Sequence, residues 1–322
     1  MNLEHKEKLL QKDEDGSILA RLCLHISFIF SGGFSRETRE AVIHIFEEYG
    51  ALMGPSSFRW GTNPGTGNWK KLRNGLDSYL TPKDWLLKLD PMGDWEFCYH
   101  NGQQSEDAPE IMIEATGCSD WEEEQGSRNT LTCLFPVDFF PDSSTQILKL
   151  ALLWSSRLQP EQGYAGFILQ TMPKTRKAAQ VRYQATQRFP GLNLCFADAG
   201  GLGFDKGLRC VDWLTALPDF WVNKLGGLEA IEKGMGVLPV HKYPGGVILQ
   251  AGKQPQLGDR EQGHTLDAYF IVAKVIEPAR EKNYIWAIDS VLGPDSWSNL
   301  YTLAATRAWL ARFSPLKTGT EK

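Results

Sequence analysis

GYAGFIL (163–169), RFPGLN (188–193), VDWLTALPD (211–219), LGG (225–227) and GGVILQAGKQPQLGD (245–259) decide the fold of this 322-residue chain. Their fixed-looking features belong to the backbone. Glycines and prolines in such runs pin turns and let segments pack closely. None of the five strings supplies a nucleophile with its base, a metal cluster or a phosphate loop.

Outward from that block, residues 164–171 read as a strand, 174–188 as a helix and 192–197 as a strand. A glycine-rich loop (199–207), a strand and helix (208–224), a helix (227–233) and a strand (246–251) follow. Residues 268–276 fit an amphipathic helix or strand, and 300–313 a last helix before the 317–322 tail. Before the block, residues 144–158 are apolar around much of a helical circumference, which predicts burial between layers. Leu22, Leu24, Ile26, Phe28 and Phe30 alternate with Arg21, Cys23, His25 and Ser27, the pattern of a half-buried strand over 18–30. Ser35 caps a helix carrying Val42, Ile45, Phe46 and Tyr49 on one face, ending at Gly50 or Gly54. A short helix starts near Pro82, and strands span 94–100, 110–116 and 130–137. SFRWGTNPGTGNWKKLRNG (57–75) reads as a long loop or irregular hairpin, and GCSDWEEEQGSRN (117–129) as a loop.

Short strands with intervening helices, several joined by hairpins, predict an α+β fold with mixed, largely antiparallel sheet flanked by helices. A soft boundary near 158–163 separates residues 17–160 from 161–316, after a charged leader at 1–16. Two similar-sized fused halves and one shared sheet both satisfy the pattern.

Net charge is −5, unevenly distributed. Leu89 to Ser127 holds eleven acidic residues and no Lys or Arg, while the rest of the chain carries +6. Such a segment is either a solvated surface or a docking surface for a basic partner. The polar start MNLEHKEKLLQKDEDG has no signal-peptide character. Leu22–Phe30, the longest apolar run, falls far short of the ~20 residues of a membrane helix. These features predict a cytoplasmic protein without membrane association. Six cysteines at long, irregular spacings read as free thiols.

No catalytic pattern survives inspection. AGGLGFDKG (199–207) misses the dinucleotide spacing by one residue, and GTNPGTGNWKK (61–71) lacks a phosphate-loop ending. Six histidines are dispersed without ligand spacing. His100, between acidic residues, reads as a surface histidine whose protonation is favoured. Ser314 and Lys317 sit in the tail, without rigid support. Overall acidity opposes nucleic-acid binding, despite Trp60 and Trp69 beside KKLRNG. No cofactor, metal or catalytic residue is expected.

The five strings, in this order, resemble a family of type VI secretion immunity proteins, and the resemblance runs from about residue 20 to 314. It implies a cytoplasmic antidote to a contact-delivered antibacterial effector, with a nuclease as the preferred target. An antidote needs complementarity of shape and charge rather than catalytic residues. Its contacts are expected where the chain is polar and unbalanced in charge, at Asp120, Trp121, Glu122, Glu123 and Glu124, with Trp60 and Trp69 as further anchors. Reversing Glu122, Glu123 and Glu124 to Lys is expected to weaken toxin binding without unfolding. An enzyme assembled around His100, His241 and His264, and a structural partner of the secretion apparatus, are the competing readings.

Overall fold

A computed structural model describes residues 9–139, 142–171, 176–194, 207–281 and 302–314. Residues 1–8 of the leader, most of the glycine-rich stretch 199–207, Cys195 and the 317–322 tail lie outside the described residues. The strands are β1 (Gln11–Lys12), β2 (Ile18–Phe30), β3 (Trp60–Thr62), β4 (Trp69–Lys71), β5 (Arg73–Leu76), β6 (Trp95–His100), β7 (Met112–Gly117), β8 (Asn129–Phe135), β9 (Gln162–Thr171), β10 (Leu192–Asn193), β11 (Leu214–Pro218), β12 (Val240–Tyr243) and β13 (Gly246–Gln250). The helices are α1 (Arg36–Met53), α2 (Pro82–Trp85), α3 (Asp120–Glu124), α4 (Ser143–Leu158), α5 (Arg176–Arg188), α6 (Asp219–Lys224), α7 (Leu228–Met235), α8 (Asp267–Ile276) and α9 (Leu303–Leu310).

Among the described residues, twelve strands form one sheet in the order β12-β13-β11-β9-β2-β8-β7-β6-β3-β4, with β1 on β2 and β10 on β9. All pairs are antiparallel except β9–β10. The α+β expectation holds. One sheet runs through both halves of the chain, joined where β2 pairs β9 from Ala20↔Thr171 to Ile29↔Gln162.

The pairing corrects the reading of β2. Expected to be half-buried, it is covered on both faces, and Cys23, His25 and Ser27 are as inaccessible as Leu24 and Ile26. Its neighbours β8 and β9 lie in the plane of the sheet, and helices cover its faces: α4 lies against Ile26 and Phe28, while Trp309 and Leu310 of α9 and Tyr183 of α5 pack around Ile29 on the other side. Its polar residues persist because they are partnered, which removes most of the burial penalty. The helix α4 errs the other way. It buries Ile147, Ala151, Trp154 and Leu158 as a stripe, but leaves Leu153 exposed, so it caps the sheet rather than lying between layers.

Ser35 caps α1 as expected, accepting a hydrogen bond from Thr38 N, and Gly54 ends the helix. Tyr49 of α1 reaches into the sheet. Its hydroxyl accepts from Met112 N at 3.0 Å and donates to Leu134 O, bridging β7 and β8. The signature strings also meet. GYAGFIL, VDWLTALPD and GGVILQ form the neighbouring strands β9, β11 and β13. Gly191 N donates to Leu257 O at 2.7 Å, and a Cβ on Gly191 would stand 1.9 Å from Gln256 O. Trp213, Leu214, Ile248 and Leu249 are buried.

A cleft between a capped helix and a hairpin

GCSDWEEEQGSRN is not a plain loop. Ser119 and Glu122 form a capping box, Glu122 Oε2 accepting from Ser119 N at 3.0 Å and from Ser119 Oγ at 2.8 Å, and this starts α3. The Ser-x-x-Glu spacing is the signal that would have found the helix. Glu123 also turns inward. It accepts from Gly32 N at 2.8 Å, Gly33 N at 2.9 Å and Asn129 Nδ2 at 2.6 Å. Asp120, Trp121 and Glu124 face outward, with Trp121 55% exposed. The expected contact residues thus divide into an outward set and two carboxylates that hold the helix. Glu122 and Glu123 reversed to Lys would undo the cap and the anchor, so the triple reversal would not leave α3 in place.

Residues 57–75 contain the hairpin β3–β4, whose outer strand forms one edge of the sheet. Trp60 and Trp69 are half-buried and share the sheet face of His100. Lys71 Nζ lies 5.8 Å above the Trp60 ring, and Trp69 meets the His100 ring edge-on at 4.7 Å. The same face continues through Cys98 and Glu96 on β6 and through Glu114 and Thr116 on β7, where it is only partly covered.

Between the hairpin and α3 lies a cleft of about 440 Å³, lined by Pro64, Asp94, Trp95, Glu96, Thr116, Gly117, Cys118, Glu122, Ser127 and Arg128. It brings the hairpin and the acidic helix together. Trp60 and Trp69 stand beside it on the shared face rather than in its lining. Asp94 and Glu96 are exposed, and sequence reasoning did not single them out. Arg128, the guanidinium in the lining, is engaged by Glu161 at 2.7 Å and donates to Ser127 O and Glu123 O. The electrostatic balance of the cleft is therefore negative.

Although Asp94 is largely exposed, partial desolvation of its carboxyl against the cleft wall raises it above its ordinary range, helped by a hydrogen bond and charge from Glu122. Hydrogen bonds from Ser119 hold Glu122 below its range. Carboxylates driven apart in this way are what an acid–base pair needs. The neighbours do not extend that chemistry: burial, then Glu123 and Glu122, push the Cys118 thiol up to about 12, and Ser119 Oγ is spent on Glu122. Among the described residues, no three His, Cys, Asp or Glu side chains are placed to hold a metal.

His100 is a correction. It is fully buried rather than at the surface, and burial pushes it down to about 4, outweighing the opposing charge of Asp107. His241 bonds Gln250 Oε1 at 2.7 Å on β12, at the opposite edge of the sheet. Seven strand intervals separate β6 from β12, a span of roughly 33 Å at the usual spacing. His264 is exposed in the loop before α8. No three-histidine site forms.

A Ser–His–Asp arrangement does occur, unforeseen in the sequence. His25 Nδ1 lies 2.8 Å from Ser27 Oγ, and His25 Nε2 lies 2.9 Å from Asp212 Oδ2. All three are buried, Ser27 Oγ also bonds Thr132 Oγ1 at 3.1 Å, and Asp212 is further bound by Asn193 Nδ2 and Trp213 N. A nucleophile must reach its substrate, and this hydroxyl is already enclosed and saturated. The network joins β2 to the start of β11. Gly166 is required there, since its Cβ would stand 1.9 Å from Asp212 Oδ1.

No helix among the described residues is long and apolar enough to cross a membrane. No curated protein matches the chain by sequence. A type VI secretion protein of Pseudomonas aeruginosa, PA0821, has a similar fold, with a TM-score of 0.84 and 22% identity over 96% of this chain and 88% of its own. The profile described as type VI immunity for VRR-NUC matches residues 41–313, and by that match the chain belongs to the TsiV family of type VI immunity proteins.

Proposed function

We propose that the chain binds a VRR-NUC effector in the cytoplasm and silences it by seating the acidic cleft on a basic, nucleic-acid-binding face of that toxin. One observation carries the reading. Asp94, Glu96, Asp120 and Glu124 are exposed on or beside a cleft whose guanidinium, Arg128, is already paired. Carboxylates arranged in this way steer a basic partner, and Trp121 on the same helix offers an apolar anchor. Trp60 and Trp69 extend the surface along the hairpin. Neutralisation needs no cofactor and no catalysis by this chain.

The test is co-expression with the VRR-NUC toxin domain, paired with a nuclease assay on purified components. Growth is restored, and nuclease activity falls as a complex of fixed stoichiometry forms. Continued growth arrest together with no complex on size exclusion overturns the proposal.

A further inference from the structure

Gly33 is buried, yet both walls of the acidic cleft are fastened to its peptide. On one side its N–H donates to Glu123 Oε1 at 2.9 Å, while Gly32 N donates to Oε2 at 2.8 Å, fixing α3. On the other side its carbonyl accepts from Trp95 Nε1 at 2.9 Å and from Arg39 Nε at 3.0 Å. Arg39 is buried in α1 and carries the connection onward, donating to Leu89 O at 2.8 Å and Asp90 O at 3.1 Å. Asp94 lies between Asp90 and Trp95, so both chain ends around it are held. Asn129 completes the joint. Its Nδ2 donates to Glu123 Oε1 at 2.6 Å and Phe30 O at 3.0 Å, and its Oδ1 accepts from Cys118 N at 2.8 Å.

We infer that the Gly32–Gly33 turn sets the spacing of the two cleft walls, and that Glu123 is a positioning residue for partner binding rather than a contact. This rests on the reading of the cleft as the partner surface. A carboxylate receiving three N–H donors is a strong local anchor, because charge-assisted bonds are roughly twice as strong as neutral ones. Glycine is required at 33 for close approach, since an added Cβ would stand 2.3 Å from Asn129 Oδ1. Substitution there loosens the same joint from the opposite side without altering the surface.

Binding of a catalytically inactive VRR-NUC toxin domain to the full chain tests this, with rates measured at several salt concentrations. E123A and G33A should each weaken binding about tenfold, ~1.4 kcal/mol. The double variant should lose little more than either alone, because both break one joint. The salt dependence of association should stay that of the wild type. I248A is the control for general destabilisation: Ile248 is fully buried on β13, six strand intervals from β6, and its truncation leaves a cavity in the core far from the cleft. Stability of each variant is measured by urea unfolding, and I248A should keep wild-type affinity. Wild-type affinity in G33A, additive losses, a flattened salt slope in E123A alone, or equal weakening in I248A would each overturn the assignment. Absence of any complex with the wild-type chain defeats the parent reading first and this one with it, before any variant is compared.

Discussion

Reversing Asp120 and Glu124 to Lys isolates electrostatic recognition, because both are exposed and neither holds α3. For a partner cation about 7 Å away, the Coulomb energy in water is about 0.6 kcal/mol, so each reversal changes the interaction by about 1.2 kcal/mol before screening. At about 0.15 M salt, the ~8 Å Debye length reduces this to roughly 0.5 kcal/mol per residue, or ~1 kcal/mol for the pair. At about 0.01 M the Debye length is ~30 Å and the pair is worth about 2 kcal/mol. Association with the VRR-NUC toxin domain should therefore slow about fivefold at physiological salt and about 25-fold at low salt. Stopped-flow association at the two salt concentrations provides the assay. Dissociation should change less, since these charges steer encounter rather than fill the buried centre. An association rate unchanged at low salt, or an effect independent of salt, refutes the placement of the partner's basic face on this helix.

Tyr49→Phe removes the hydroxyl that bridges Met112 N and Leu134 O. Urea unfolding should show a loss of about 2 kcal/mol from the orphaned backbone groups. Ser155→Ala should stabilise by up to about 1 kcal/mol by removing a buried hydroxyl that lacks a partner, and a rise in the unfolding midpoint checks it. That hydroxyl faces a cavity of about 10 Å³ under α4. His100 gives a pH dependence whose sign is fixed. Its folded value of about 4 lies below the ordinary histidine value of 6.5, so the unfolded chain takes up a proton that the folded chain refuses. Stability from this residue is full above about 6.5 and falls by about 3 kcal/mol as pH drops to about 4. His100→Gln should flatten that part of the urea-unfolding profile, and an unchanged profile refutes it.

Local patterns were readable where local physics decides. The alternation over Ile18–Phe30, the Ser35 cap and the helical stripe of α1 all place correctly. The burial of both faces of β2 was not readable, because it depends on α4 packing on one side and on α5 and α9 packing on the other, all distant in the chain. Likewise, His25 meets Asp212 across 187 positions of sequence, a distance at which no spacing rule operates. The misread helix is different. Ser119-x-x-Glu122 is a local signal, and the density of acidic residues around it suggested a solvated run instead. Glu123 marks the limit of composition as evidence. The segment's negative charge draws attention to α3 as a surface, but Glu123's inward turn depends on Gly32 and Gly33, far away in the chain.

The signature strings and the cleft occupy different parts of one sheet, and this separation has a physical consequence. Gly191 against Gln256, Gly166 against Asp212 and the Arg188–Asp259 ion pair at 2.7 Å fix the packing around β9, β11 and β13. The two glycines are intolerant because a backbone carbonyl or a buried carboxylate stands where a side chain would go. The cleft lies beyond β2 and β8, against β6 and β7, with its rim on a hairpin and a helix of little more than one turn. Exposed residues there, such as Asp94, Glu96, Asp120 and Glu124, can be exchanged without disturbing those contacts, provided the Gly32–Gly33 joint keeps the walls in place. On the proposed binding surface, contact residues could therefore change with the toxin while the packing around β9, β11 and β13 is left as it is. For the same reason, the strings that carry the family resemblance sit apart from the surface proposed to bind.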